Sequence, residues 1–336
     1  GTEIVPLHGV PLPIYPELKL TPPQPGITPH LRRFRPDLVH LAGTALLGPS
    51  GRYAARRLGL PLIAAYHTDF PAYSAHYGLG WMRSLAYGYL RWIHNACALT
   101  LCPSRATLAD LRTHGFRRLR LWRRGVDTAR FHPSYRSAAW RESVGVRPGE
   151  TLLLYVGRLA TEKRLDLLAD ALIGLDGVRL ALVGDGPARP ALERRLAGQP
   201  VHLTGFLSGD ALAAAYASAD LFVFPSDTET FGQVIQEAMA SGLPVIAARA
   251  GGALDLVRDG VNGLLFAAGS AADLRTQLRA LVADAPRRAA LGHAGRAAAE
   301  RCSWAMVMNE LLDQYRRVLR WRARPRPHRQ QLSAIR

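Results

Sequence analysis

Short apolar runs recur along the chain, and between them hydrophobic positions fall at helical intervals. PDLVHLAG gives a strand around Leu38 to Leu41, and a helix follows near Gly51 to Leu58. LPLIAAYHTD is the next apolar run, ending beside His67, Thr68 and Asp69. ALTLCPS, Ala98 to Ser104, is another strand, followed by a helix from about Arg105 to His114. RLRLWRRGVD then reads as a strand running to Asp127. Nearly continuous apolar runs that alternate with helices predict strands buried on both faces of a parallel sheet.

A polar, Pro-bearing interval, Phe131 to Glu150, precedes a second series of the same design. TLLLYVGR, VRLALVGDGP, VHLTGF, ADLFVFPS, LPVIAAR and GLLF predict strands. Helices are expected at Leu165–Leu172, Ala188–Leu196, Asp210–Ala217 and Val234–Ala240. The fold class is therefore α/β, with two Rossmann-like doubly wound domains, residues 1–135 and 136–305, facing each other across a cleft. Sheets of this type gather ligands beyond the C-terminal ends of their strands, where His67 and Asp69 stand. Residues 306–320 have the apolar spacing of a closing helix able to cross to the first domain, and 321–336 read as a disordered basic tail.

Composition narrows the function. The 336 residues suffice for two ordinary domains, and no run approaches the roughly 20 apolar residues that span a bilayer. Cys97, Cys102 and Cys302 show no metal-ligand spacing, and with no secretory signal in view the chain is expected in a reducing cytoplasm. The formal charge of +17 is uneven: residues 1–148 hold 20 basic and 7 acidic side chains, and 316–336 add eight arginines and no acid. A basic half and tail can meet anionic lipid, nucleic acid or simply solvent, and arginine richness in an Ala-, Leu- and Gly-heavy chain can also be a composition bias, so charge alone names no partner. Nucleic acid is set aside as a partner, because no basic surface interleaved with aromatics and no reading motif stands out.

The candidate chemistry concentrates after strand ends. In DTETFGQVIQEAMASG, Glu229 lies on the loop leaving a strand and Glu237 about one turn into the following helix. Free N–H groups at that helix start attract an anion, so flanking carboxylates suit hydroxyls on either side of a phosphate. The bland alternative has Glu229 capping the helix and Glu237 solvated. GRLATEK places Arg158 and Lys163 just after another strand, where a guanidinium and an ammonium can neutralise a diphosphate. Gly184 and Gly186 of GDGP make a turn, without the spacing of a dinucleotide fingerprint. His67 is either a first-domain site residue or a satisfied loop histidine.

With YHTDF, YVGRLATEK, LVGDGP and the two spaced glutamates in order, the sequence resembles glycosyltransferase family 4, retaining nucleotide-sugar-dependent enzymes of GT-B fold. The likeness is strongest over residues 152–265 and continues through 36–133. Within the family it looks most like bacterial mannosyltransferases and sulfoquinovosyl- or glycolipid-forming relatives. The resemblance implies His67, Glu229, Arg158 and Lys163 as the catalytic set. Arg158 and Lys163 would grip the donor diphosphate with the backbone of Phe231, Gly232, Gln233 and Val234. Glu237 would take the ribose hydroxyls, with Gly184 and Leu207 near the nucleoside, and Asp69 and Tyr73 would lie on the acceptor side. It further implies a nucleotide sugar, first GDP-mannose, as donor, no required metal or other cofactor, and a lipid or glycan acceptor. A UDP-sugar-dependent glycolipid transferase and a non-catalytic nucleotide-binding fragment are the alternatives. Family members begin with a strand and a glycine-rich loop that approaches the donor diphosphate and acceptor, and this sequence is read as starting beyond that point, so a first domain short of that segment is expected. WMRSLAYGYLRWIHNA, Trp81 to Ala96, reads either as a helix resting on anionic lipid or as one packed inward.

Overall fold

The computed structural model describes residues 2–7, 9–12, 15–21, 24, 26–69, 71 and 80–323. A hairpin of β1 (Val10–Leu12) and β2 (Tyr15–Leu20) and the helix α1 (Ile27–Phe34) lead into the first sheet. That sheet has four strands in sequential order, β3 (Val39–Leu41), β4 (Leu62–Ala65), β5 (Leu99–Cys102) and β6 (Leu119–Leu121). All its pairings are parallel, and β4 and β5 are buried along their whole length, as their unbroken apolar sequences require. Between the strands run α2 (Thr44–Arg57), α3 (Arg83–His94) and α4 (Arg105–Thr113).

Two boundaries differ from the sequence reading. Helix α2 starts seven residues before the expected Gly51, although Pro49 lies inside it. Proline cannot donate to the carbonyl four residues back, and here the Tyr89 hydroxyl donates to that carbonyl, Ala45 O, at 2.6 Å. Strand β6 stops at Leu121 rather than running to Asp127, because the residues after it leave the sheet. Trp122 packs against the core beneath the last helix, and Val126 bridges to Ser303.

After α5 (Ala138–Ser143), the second sheet comprises β7 (Thr151–Val156), β8 (Val178–Val183), β9 (Val201–Gly205), β10 (Leu221–Phe224), β11 (Val245–Ala248) and β12 (Leu264–Phe266). Their order is β12-β11-β10-β7-β8-β9, parallel throughout, which is the doubly wound arrangement with its reversal between β7 and β10. Helices α6 (Leu165–Leu172), α7 (Arg189–Arg195), α8 (Gly209–Ser218), α9 (Gln233–Ala240), α10 (Ala253–Leu256), α11 (Ala271–Ala283) and α12 (Ala285–Glu300) accompany it. Two hydrophobic clusters cover its faces, one around Leu152, Phe222 and Ile235, the other around Leu153, Leu180 and Phe266. The last helix, α13 (Trp304–Ala323), returns to the first domain. Leu311 and Val318 join Ile63, Ala65, Leu99 and Leu101 in one cluster, and the Tyr315 hydroxyl lies 2.6 Å from His40 Nδ1. No helix among the described residues is long and apolar enough to cross a membrane.

Candidate active site

Where the second sheet reverses its order, the loops after β7 and β10 diverge and leave a crevice. Tyr155, Gly157, Arg158 and Lys163 line it from the β7 side, and Phe224, Glu229, Gln233 and Val234 from the β10 side, around a cavity of about 200 Å³. Inside it Lys163 Nζ forms an ion pair with Glu229. Arg158 pairs with Glu162, whose side chain is fully buried. The Glu162 carbonyl also accepts the Ser226 hydroxyl at 3.3 Å, which ties the β7 loop to the end of β10. From below, the Tyr155 hydroxyl donates to the Arg158 carbonyl at 3.0 Å.

Helix α9 begins beside this ion pair. Gly232 occupies its N-cap with φ 91°, a left-handed conformation that suits glycine, and no side chain caps the helix. Glu229 is therefore free of the capping role and serves Lys163. The N–H groups of Gln233 and Val234 have no partner within the helix, and its positive end favours an anion there. Phe231 is buried, and its backbone packs closely against Gly252. Glu237 lies one turn further and accepts a hydrogen bond from Tyr216 at 2.9 Å. Burial pushes its pKa up to about 7, and the Tyr216 bond works against that rise. Gly184, at φ 133°, donates to the Gly205 carbonyl at 2.8 Å, and a side chain there would collide with the Gly157 carbonyl. It holds the loops after β7 and β8 to the end of β9. Leu207 is half-buried after β9 and packs on the core below.

The first domain brings His67 to the same region. Its Nδ1 lies 3.1 Å from Arg124 Nη2. A guanidinium only donates, so Nδ1 accepts and the ring proton sits on Nε2. Burial, with the charges of Arg124 and His40 adding to it, lowers the His67 pKa to about 4, which makes the ring neutral at physiological pH. Asp69 accepts from the Tyr66 hydroxyl at 3.4 Å, and Tyr66 itself is buried in the core. Tyr73 lies outside the described residues. Thr230 connects the domains: its hydroxyl donates to the His67 carbonyl at 3.0 Å, and its carbonyl accepts the Thr107 hydroxyl at 3.3 Å. The Gln233 amide donates to the Gly125 carbonyl at 3.1 Å. The loop bearing Glu229 thus touches the loop bearing His67.

Sequence reasoning did not find Tyr216, Arg124 or Thr230. Each acts on a predicted residue through a tertiary contact; Arg124 and Thr230 stand in the stretches RLRLWRRGVD and DTETFGQVIQEAMASG, but nothing local marks the partner each one reaches. Among the described residues, no group of three or more His, Cys, Asp or Glu side chains is placed to hold a metal ion.

Two Rossmann-like sheets, with basic side chains and paired glutamates around a helix start at the switch point and a histidine loop opposite, define a nucleotide-sugar-dependent glycosyltransferase of GT-B architecture. Residues 150–284 match the family model described as glycosyl transferases group 1, and residues 2–130 match glycosyltransferase family 4. The chain is 39% identical to the GDP-mannose-dependent alpha-mannosyltransferase of Corynebacterium glutamicum, over 95% of its own length and 76% of the relative's. It is 40% identical to the protein of that name from Mycolicibacterium smegmatis, over 93% and 83%. It is 36% identical to the sulfoquinovosyl transferase SQD2 of Arabidopsis thaliana, over 96% of this chain and 64% of that one. The Anabaena protein HepE, solved with UDP-glucose, superimposes with a TM-score of 0.77 at 25% identity, covering 87% of this chain and 81% of its own. The chain belongs to glycosyltransferase family 4. It transfers a sugar from a nucleotide-sugar donor to an acceptor.

Proposed function

We propose that the chain is a retaining mannosyltransferase, moving the mannosyl group of GDP-mannose to a hydroxyl of a lipid or glycan acceptor. The observation that carries the reading is the arrangement of Lys163, Glu229 and Glu237 about the start of α9. A donor diphosphate replaces Glu229 as the partner of Lys163, and a sugar hydroxyl replaces Lys163 as the partner of Glu229. Arg158, Lys163 and the α9 N–H groups stabilise the charge that grows on the departing diphosphate. Glu237 accepts the ribose hydroxyls. The acceptor attacks from the face that the diphosphate leaves, and a diphosphate oxygen takes its proton, so configuration is retained. His67 Nε2–H donates to the transferred sugar.

The choice of GDP-mannose draws on the names of relatives aligned over most of the chain. The likeness to a sulfoquinovosyl transferase supports a UDP-sugar donor as the second reading. A panel of GDP-mannose, UDP-glucose, UDP-galactose and UDP-sulfoquinovose, incubated with extracted lipids and read by mass, separates them. A mannosylated product is expected, and turnover with UDP donors alone would overturn the first reading. Peripheral attachment to anionic lipid at the cytoplasmic membrane face belongs to the same proposal. Trp81, Leu85, Tyr89 and Trp92 form an exposed stripe, while Tyr87, Leu90 and Ile93 of α3 pack inward.

A further inference from the structure

A cavity of about 550 Å³ lies at the far end of the first sheet from His67. Leu60, Pro61 and Leu62 border it where β4 begins, Ala96 to Ala98 where β5 begins, and Arg118 where β6 begins. His67 follows the other end of β4, so a strand length of about 13 Å separates cavity and cleft. The second half of α2 contributes Arg52 and Arg56, and the end of α13 contributes Trp321.

Three guanidinium groups thus face one cavity whose lining contains no carboxylate. Some arginines elsewhere meet carboxylates: Arg136 and Arg141 meet Asp220, and Arg164 meets Asp166 and Asp227. Among the described residues, Arg52 instead donates to the Trp92 carbonyl at 2.8 Å and stacks on its ring, and Arg118 donates to the carbonyls of Cys97 and Asn95. Each guanidinium has five N–H donors, so both keep donors for a ligand. Cys97 also lines the cavity, and the charges of Arg118 and Arg52 both act on its thiol. Arg52 and Arg56 are four apart on one helix, a like-charge spacing that an anion between them would relieve. The remaining lining, including Leu60, Pro61 and the indole of Trp321, is apolar, and the volume is that of a small-molecule site.

We propose that this cavity is a second ligand site, which holds a phosphate carried on an apolar chain. The phosphate lies among Arg52, Arg56 and Arg118, and the chain lies against Leu60, Pro61 and Trp321. The charge complementarity selects the headgroup and the apolar wall selects what carries it. The site is independent of the donor cleft.

The test is calorimetric titration of the full chain with hexyl phosphate, beside inorganic phosphate and hexanol. One hexyl phosphate per chain should bind at this site, at least tenfold more tightly than inorganic phosphate, with no binding of hexanol. Arg56→Glu and Arg52→Gln should each weaken it at least tenfold, and Lys163→Ala, in the donor cleft, should leave it unchanged. Arg56 is exposed and pairs with nothing among the described residues, so its substitution keeps the fold, which melting curves verify. Should Arg52→Gln unfold through loss of its Trp92 contact, Arg56→Glu decides alone. Equal affinities for the two phosphates would overturn the lipid-phosphate occupant in favour of a free anion. Absence of saturable binding, or binding lost in Lys163→Ala and kept in Arg56→Glu, would overturn the site itself.

Discussion

Lys163 and Glu229, 66 positions apart, form an ion pair across the crevice between β7 and β10. Each holds the other at the spot where, in the proposed reaction, a diphosphate and a sugar hydroxyl arrive. Lys163→Ala removes a charged contact to the diphosphate worth about 2 kcal/mol, so GDP should bind about 30-fold more weakly. Calorimetry checks it, with a melting curve to show that the second domain stays folded. Unchanged affinity for the preferred nucleotide would sink the assignment.

The two glutamates should fail differently. Glu229→Gln should chiefly lower kcat, because a contact to the sugar strengthens as charge develops at its anomeric carbon. Glu237→Gln should chiefly weaken nucleotide binding, since ribose hydroxyls are remote from bond breaking. Nucleotide affinity beside steady-state kinetics separates the roles. The reverse pattern would show that they are exchanged.

Glu237 also makes stability depend on pH. The folded chain keeps its proton up to about pH 7, whereas an ordinary glutamate releases it near 4.5. Stability from this group is therefore complete below pH 4.5 and lost as pH rises through 7, on the order of 3 kcal/mol at most. Thermal melts from pH 4.5 to 7.5 should show a decline that Glu237→Gln removes. Tyr216→Phe takes away the bond that restrains the pKa, so the decline should move to higher pH. A variant that tracks the wild type at every pH would refute the assignment.

His67 runs the other way. Its folded pKa, about 4, lies below the ordinary 6.5, so its contribution is present above pH 6.5 and lost as pH falls through 4. Arg124 is the second cause of the shift after burial. In Arg124→Gln the imidazole midpoint, followed by NMR, should rise partway from 4 toward 6.5, with kcat reduced because the tautomer is no longer fixed. An unmoved midpoint would remove Arg124 and leave burial and His40 as the causes.

Much of this site was legible in the sequence, because a parallel strand buried on both faces shows itself as an unbroken apolar run. The runs ending at Val156 and Phe224 located Arg158, Lys163 and Glu229 without any tertiary information. What escaped were contacts between distant parts of the chain. Arg124 reaches His67 across 57 positions and Thr230 reaches it across 163. The early start of α2 was hidden as well, because Pro49 reads as a break until the Tyr89 hydroxyl supplies the missing donor. Helices α11 and α12 were not anticipated. The second is mostly alanine, glycine and arginine, and such a composition blurs the boundary between apolar and polar faces.

The outward stripe of α3 offers a separate test of membrane attachment. The double substitution Trp81→Ser and Leu85→Ser alters exposed side chains, and the inward Tyr87, Leu90 and Ile93 stay in place. Sedimentation with phosphatidylglycerol vesicles should fall at least tenfold, with turnover of a water-soluble acceptor retained. Equal sedimentation of the two proteins would remove α3 as the contact.

Helix α13 sets an order of events during synthesis. Domains ordinarily fold as they emerge from the ribosome, the first before the second. Here the wall that Leu311, Tyr315 and Val318 provide for the first sheet is translated after the whole of the second, and the Tyr315 partner of His40 arrives 275 positions later. The nascent first sheet therefore waits with Ile63, Ala65, Leu99 and Leu101 uncovered on one side, a hydrophobic face open to chaperones for as long as the ribosome takes to reach α13.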